Sequence, residues 1–263
     1  MGPAESYWAH DLARWAIPDE ILAAAPVPPW GFPPEFFRAP SEPDDSPSRA
    51  RALEALPEGG SVLDVGSGGG AAGLALVPPA GELIAVDETP SMLAMVREAA
   101  AGLDAAGHPV KLTTIEGRWP DVASQVPTAD VVVCHHVFYN VSDLGAFATE
   151  LGEHAKERVV VELTSRHPMA SLNELWLHFH GIQRPVGPGA DEALEVLAEV
   201  GIDASAEHFS RPPRWQGRDR ALQVAFARQR LCLGPEADPE IESLLSPGAD
   251  LLSTRAACVW WDP

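Results

Sequence analysis

Residues 61–70 read SVLDVGSGGG, and the way this stretch folds decides the architecture. Val62, Leu63 and Val65 make an apolar run of strand length, and Gly66, Gly68, Gly69 and Gly70 follow as a turn without side chains. Such a turn lets backbone amides approach a ligand closely at the positive end of the next helix. The stretch satisfies the dinucleotide fingerprint twice, through Gly66, Gly68 and Ala71 and again through Gly68, Gly70 and Gly73. A nucleotide-type ligand is therefore expected, and its identity rests on residues around the turn.

Working outward, short β-rich runs alternate with helical runs, the mark of a parallel sheet with crossover helices. Strands are expected over 61–65, 82–87, 110–115, 129–134, 158–164 and about 203–209, with the closing RAACVWWDP as a seventh, antiparallel strand. Helices are expected over 69–77, 90–106, 143–155, 169–180, 190–200 and 218–230. The fold class is α/β: a Rossmann-like, mostly parallel seven-stranded sheet with helices on both faces and an N-terminal helical, proline-rich cap. Residues 1–48 are assigned to the cap and 49–263 to the ligand-binding domain. Within the cap, Trp8, Leu12, Trp15, Ile21 and Leu22 have helical spacing broken by Pro18, which predicts two short helices. Eight prolines between Pro26 and Pro47 exclude regular structure there, but Trp30, Phe32, Phe36 and Phe37 are too aromatic for a free linker. Trp8, Trp15, Trp30 and Phe36 are expected to cover the carboxyl ends of the strands.

Two acids refine the ligand. Asp64 precedes the first glycine by two residues. A carboxylate at that mouth repels a pyrophosphate but complements the ammonium and sulfonium of S-adenosylmethionine. Asp87 ends the run ELIAVD about twenty residues past the glycines, the spacing at which a strand-two acid accepts hydrogen bonds from ribose hydroxyls. Glu88 is placed beside it in the cofactor set. Met92, one turn into the following helix, is either an apolar wall for an adenine or ordinary core.

The series VLDVGSGGG, VDETPSML, EGRWPDVA and ADVVVCHHVFYNV, in that order, resembles the motif set of class I S-adenosylmethionine-dependent methyltransferases over about residues 60–165. The resemblance implies S-adenosylmethionine as cofactor, with S-adenosylhomocysteine as product, across the carboxyl ends of strands one, two and four. It assigns Asp64, Gly66, Ser67 and Gly68 to the methionine end and Asp87 to the ribose. Gly117 and its successors meet the adenine edge. Family members often have an acid after that glycine; here Arg118 and Trp119 follow, so a stacked guanidinium or indole stands in. His135 falls on the methionine side of strand four, and His136 with Tyr139 on the acceptor side as the candidate catalytic pair. Histidine suits proton transfer near neutral pH.

What is missing narrows the acceptor. No (Asp/Asn)-Pro-Pro-(Tyr/Phe) follows strand four, and Cys134 is followed by His135 rather than proline, against an adenine N-methylating or cytosine C5 pattern. His178 and His180 diverge on a helix, so no metal is expected. A net charge of −20 from 18 basic and 38 acidic residues repels polyphosphate and anionic membranes. Arg211, Arg214, Arg218, Arg220, Arg228 and Arg230 form the only stretch resembling an RNA footprint, and an ion-paired face is the plainer reading. Cys134, Cys232 and Cys258 form no C-x-x-C pair, and no long apolar run or signal-type N-terminus is present, pointing to a cytoplasmic protein. Only Lys111 and Lys156 are lysines, consistent with a GC-rich bacterial genome. A small-molecule acceptor is the expected partner. The competing readings are an NAD(P)-dependent oxidoreductase and a noncatalytic S-adenosylmethionine-binding protein.

Overall fold

The computed structural model describes residues 2–30, 45–213, 219–246 and 251–263. Phe32, Phe36, Phe37, Arg214 and Arg218, named above, lie outside them. Seven strands form one sheet: β1 (Ser61–Val65), β2 (Glu82–Asp87), β3 (Lys111–Glu116), β4 (Ala129–His135), β5 (Ala155–Thr164), β6 (Ser205–Ser210) and β7 (Arg255–Trp261). Their order is β3-β2-β1-β4-β5-β7-β6. β7 runs antiparallel to both β5 and β6, and the pairs among β1 to β5 are parallel. Strands covered on both faces read as continuous apolar runs, and β4 and β5 do so through Val131–Cys134 and Val159–Val161. The edge strand β6 is polar and largely exposed and β3 is half-buried with charged ends, Lys111 and Glu116, which blunts edge-to-edge pairing.

Alternation along the strands sorts side chains into two cores. Leu63, Val65, Val86, Val132 and Cys134 face α6 (Leu144–His154), α8 (Ala190–Glu199) and α1 (Pro3–Ala13). Val62, Leu83, Ala85, Val131 and Val133 face α3 (Pro47–Ala55), α4 (Ala71–Leu74) and α5 (Pro90–Ala105). A third cluster sits apart from the sheet. It joins Ile17, Trp176, Phe226 and Ile241, from the approach to α2 (Asp19–Ala24), α7 (Asn173–His180), α9 (Arg220–Arg230) and α10 (Asp238–Leu244). The helical appendage is thus composite, drawing as much on residues after β5 as on the N-terminus.

The expected cap helices form, with Pro18 as N-cap of the second. Trp8 is fully buried in the first core and donates its Nε1–H to the Val141 carbonyl at 2.7 Å. Acids fix the first turn of α1: Glu199 accepts from the amides of Ala4 and Glu5, and Glu5 accepts from Gly145 at the start of α6. Trp30 departs from the expected cover, being 60% exposed. α4 is shorter than the expected 69–77 because Gly70, at φ 84°, delays its start and Pro78 and Pro79 follow closely. Neither α3 nor α10 was read from the sequence.

Candidate active site at the carboxyl ends of the strands

Gly66, Gly68 and Gly70 all have positive φ, at 68°, 51° and 84°. A Cβ on Gly66 would collide with Val137 at the end of β4, so glycine is required both for conformation and for space. Ser67 is 7% exposed, and its Oγ is buried without a hydrogen-bond partner. A turn of left-handed glycines carrying an unsatisfied hydroxyl fits the polar methionine end of S-adenosylmethionine.

Asp64 is placed differently from a carboxylate open to that mouth. It is 1% exposed, and its Oδ2 accepts from the Gly73 amide at 2.9 Å. Burial pushes its pKa up to about 7, the Gly73 N–H opposes the rise and the Asp87 charge adds to it. The acid stitches β1 to α4 from beneath the turn. Asp87 is half-buried, with Oδ2 accepting from Gly68 N–H and Oδ1 from Thr89 N–H, each at 2.8 Å. It therefore ties the glycine turn to the N-terminus of α5. Each of its oxygens can still accept a further hydrogen bond.

Glu88 is exposed and Met92 half-buried on α5. Gly117, at φ 155°, donates to the Asp87 carbonyl at 3.0 Å, which brings the end of β3 against the end of β2. Arg118 is exposed, free to lie over a ligand. Trp119 is not presented as a stacking face. It is 5% exposed within the first core, edge-on to His154 at 4.8 Å, because the chain turns its large apolar ring inward. A cavity of about 160 Å³ lies between Arg118, Trp119 and Pro120 on one side and Val141, Ser142 and Asp143 on the other.

At the end of β4, His135 pairs in register with Glu162 of β5 and is half-buried. His136 is left-handed at φ 60°, and its amide donates to the Glu162 carbonyl at 2.7 Å. The strand is no longer regular at His136, so simple alternation does not govern where its ring points. Its Nε2 lies 3.3 Å from Glu162 Oε1 and contacts Arg211, which itself pairs with Glu162 at 3.0 Å. Ser48 donates to the other Glu162 oxygen at 2.6 Å. Burial of Glu162, 4% exposed, opposes its ionisation, but the His136 hydrogen bond and the charges of His135, His136 and Arg211 outweigh that and hold it well below the usual carboxylate range. The sequence reading missed Ser48 and Arg211 as members of this cluster. The one visible signal was an acid, Glu162, inside the apolar run VVVEL.

Tyr139 corrects an expectation. It is 9% exposed, its hydroxyl lies 2.6 Å from Thr164 Oγ1 and also accepts from the Thr164 amide, and burial raises it above the ordinary tyrosine range. It ties the loop after β4 to the end of β5 and is not poised for proton transfer. His167 follows β5, stacks on Trp15 at 3.6 Å and meets Tyr139 edge-on at 5.7 Å. Burial and the neighbouring Arg184 push it down to about 3. Arg166, His167, Ala170, Ser171 and residues 252–254 line a cavity of about 250 Å³ beside it.

His178 bonds Glu240 and His180 bonds the Leu231 carbonyl, and among the described residues no group of metal ligands assembles. Among the described residues no helix is long and apolar enough to cross a membrane. The described arginines of the basic stretch are engaged within the chain: Arg211 with Glu162, Arg220 with carbonyls of Glu242 and Leu245, Arg228 with Asp238, and Arg230 with the Pro29 carbonyl.

Residues 62–158 match the family described as Methyltransferase domain. No curated protein matches the chain. Among solved structures, the YcgJ protein of Bacillus subtilis is 15% identical, with a TM-score of 0.51 over 82% of this chain and 97% of that one. A structure described under conversion of a disulfide bond into a thioacetal group during echinomycin biosynthesis is 16% identical, with a TM-score of 0.51 over 93% and 90%. At such identities the likeness is one of fold. The matched stretch runs from β1 into β5 and so contains the glycine turn, Asp87 and the end of β4, on a sheet ordered β3-β2-β1-β4-β5-β7-β6 with an antiparallel seventh strand.

Proposed function

We propose that the chain methylates a small-molecule acceptor held at the carboxyl ends of β4 and β5. The observation that carries this reading is the cluster of His136, Glu162 and Arg211 beside the glycine turn, with His136 still 29% exposed. When bound, S-adenosylmethionine supplies a methyl group already activated by its sulfonium, so positioning does most of the work. In this reading the glycine turn and Ser67 hold the methionine end, over the floor that Asp64 stiffens. Asp87 and Glu88 serve the ribose, while Met92, Gly117 and Arg118 surround the adenine and Trp119 packs behind them. His135 faces the methionine side.

The ends of β4 and β5 would hold the acceptor lone pair in line with the methyl carbon, with the sulfur of the bound donor as leaving group. If the nucleophile carries a proton, His136 takes it. Glu162 stabilises the resulting imidazolium, and Arg211 holds the Glu162 carboxylate in place. Tyr139 positions the two strand ends. The cap over residues 1–48 belongs to the same reading, since Trp15 stacks on His167 next to the site. So does a cytoplasmic location, supported by the free thiols Cys134, Cys232 and Cys258. The net charge of −20 and the engaged arginines favour a small acceptor over nucleic acid.

Titration calorimetry tests the reading. Micromolar binding of S-adenosylhomocysteine and no heat with NAD are expected; the reverse overturns it. His136→Ala should lower turnover about 100-fold or more with cofactor affinity nearly unchanged. An unchanged turnover in a folded variant removes His136 from the mechanism.

A further inference from the structure

Arg184 lies in the segment between α7 and α8 and carries a charge to a place where no carboxylate of the described residues balances it. It is 8% exposed. Its Cζ sits 3.5 Å from the Trp176 ring centroid and 5.5 Å from that of Trp15. Both Nε and Nη2 are buried without a hydrogen-bond partner, and no described carboxylate pairs with the side chain. Arginine is rarely so buried unless paired, because desolvating the charge costs more than contact with aromatic faces returns. Burial lowers its pKa to about 10, although the nearby Cys232 acts in the other direction.

The identity of the unsatisfied donors specifies the ligand. Nε–H and Nη2–H share one edge of the planar guanidinium and point the same way, the fork that the two oxygens of a carboxylate accept together. A phosphate site gathers backbone amides or several cations, and this segment offers one guanidinium. Asn173 holds the Arg184 segment in place. Its Nδ2 donates to the carbonyls of Arg184 and Pro185 at 3.3 and 2.8 Å, while its Oδ1 is buried with no partner. Arg184 lines neither cavity itself and reaches the acceptor side through its ring neighbours. From the end of β4 the rings of Tyr139, His167 and Trp15 run in contact to the guanidinium, and His167 lines the 250 Å³ cavity.

We propose that Arg184 binds a carboxylate of the methyl acceptor through its Nε–H and Nη2–H donors, so that the substrate is an organic acid. This rests on the methyltransferase reading above. The fork lies away from the glycine turn, so it acts on acceptor choice and leaves cofactor binding alone.

The test uses the full chain saturated with S-adenosylhomocysteine. Benzoate, phenylacetate and indole-3-acetate are titrated against their matched carboxamides and against inorganic phosphate, with binding read by ligand-observed NMR. At least one acid should bind about tenfold more tightly than its amide, the effect of one charge-assisted hydrogen-bonded pair. Arg184→Met should abolish that preference while cofactor affinity and melting temperature hold or rise, since an apolar chain of similar length replaces an unpaired buried cation. Arg184→Lys, which keeps the charge without the fork, should lose most of the preference.

Equal binding of acids and amides overturns the proposal, as does a preference that survives Arg184→Met or is fully retained by Arg184→Lys. Phosphate binding as tightly as the acids also counts against it. A lower melting temperature for Arg184→Met with the acid preference intact would make the residue a structural prop. If S-adenosylhomocysteine itself fails to bind, the methyltransferase reading falls; if it binds and no acid is preferred, only the carboxylate proposal does.

Discussion

Asp64 and Asp87 show how far a single residue can be read. Both were visible as acids flanking a glycine turn, and the spacing gave their strand positions. Neither spacing nor composition says which way a carboxylate points. Asp64 turns inward because Gly73, opposite it, has no side chain: a Cβ there would sit 2.9 Å from Asp64 Oδ2. With its pKa raised to about 7, the neutral form of Asp64 is the one the fold favours. Its contribution is therefore fully present below the ordinary carboxylate range and is lost as pH rises through about 7. Asp64→Asn keeps an acceptor for the Gly73 amide and cannot ionise. It should match the wild type in urea melts at pH 5 and exceed it at pH 8.5 by on the order of 1–3 kcal/mol. An identical pH slope in both proteins would remove the buried acid from the explanation. Asp87→Ala should weaken S-adenosylhomocysteine binding by about 1.5 to 3 kcal/mol, because both a charged acceptor and the tie between the turn and α5 disappear. A loss below a few tenths, measured calorimetrically, would leave Asp87 as a helix cap only.

Among elements, β5 bears the most strain of chemistry, since it must stay apolar on both faces and still deliver Glu162 to the site. Three partners make this tolerable: Ser48 from α3, His136 from the end of β4 and Arg211 after β6. Removing one member of such a buried set leaves the others uncompensated. Glu162→Gln should therefore cost about 3–5 kcal/mol in denaturant melts at pH 7. The sign with pH is opposite to that of Asp64. A depressed carboxyl stabilises above its ordinary range and loses that contribution as pH falls from there through its lowered folded value, so the gap between wild type and Glu162→Gln should begin to narrow below about pH 4 and keep narrowing with further acidification. A gap independent of pH would mean that packing, not charge, is at stake.

The partners also explain what the sequence concealed. Strand periodicity located every β element to within a few residues, because the pattern is local. The Ser48–Glu162 and Arg211–Glu162 pairs join residues 114 and 49 positions apart, respectively, and no local pattern encodes them. α10 was hidden in the same way. Its acidic surface residues read as a solvated run, while only Ile241 is buried within it, in the cluster shared with α9 and α7.

At the scale of the whole molecule, two fields compete for an anionic acceptor. The net charge of −20 repels it from afar, whereas Arg184 attracts it at contact. Distance decides between them. Solvent-exposed charges are screened beyond a Debye length, about 8 Å at physiological ionic strength and several times longer at low salt. A buried fork is screened far less. Encounter should therefore be governed by the acidic surface and residence by the fork. Raising salt from about 20 mM to about 300 mM should speed association of a carboxylate probe severalfold and leave its dissociation nearly constant, so that affinity improves with salt. A matched carboxamide feels neither field strongly and should show a flat response. Stopped-flow measurements on the S-adenosylhomocysteine complex can separate the two rates. Slower association at high salt would mean that the acid is steered by a basic face of the protein, and the balance between surface and fork described here would be wrong.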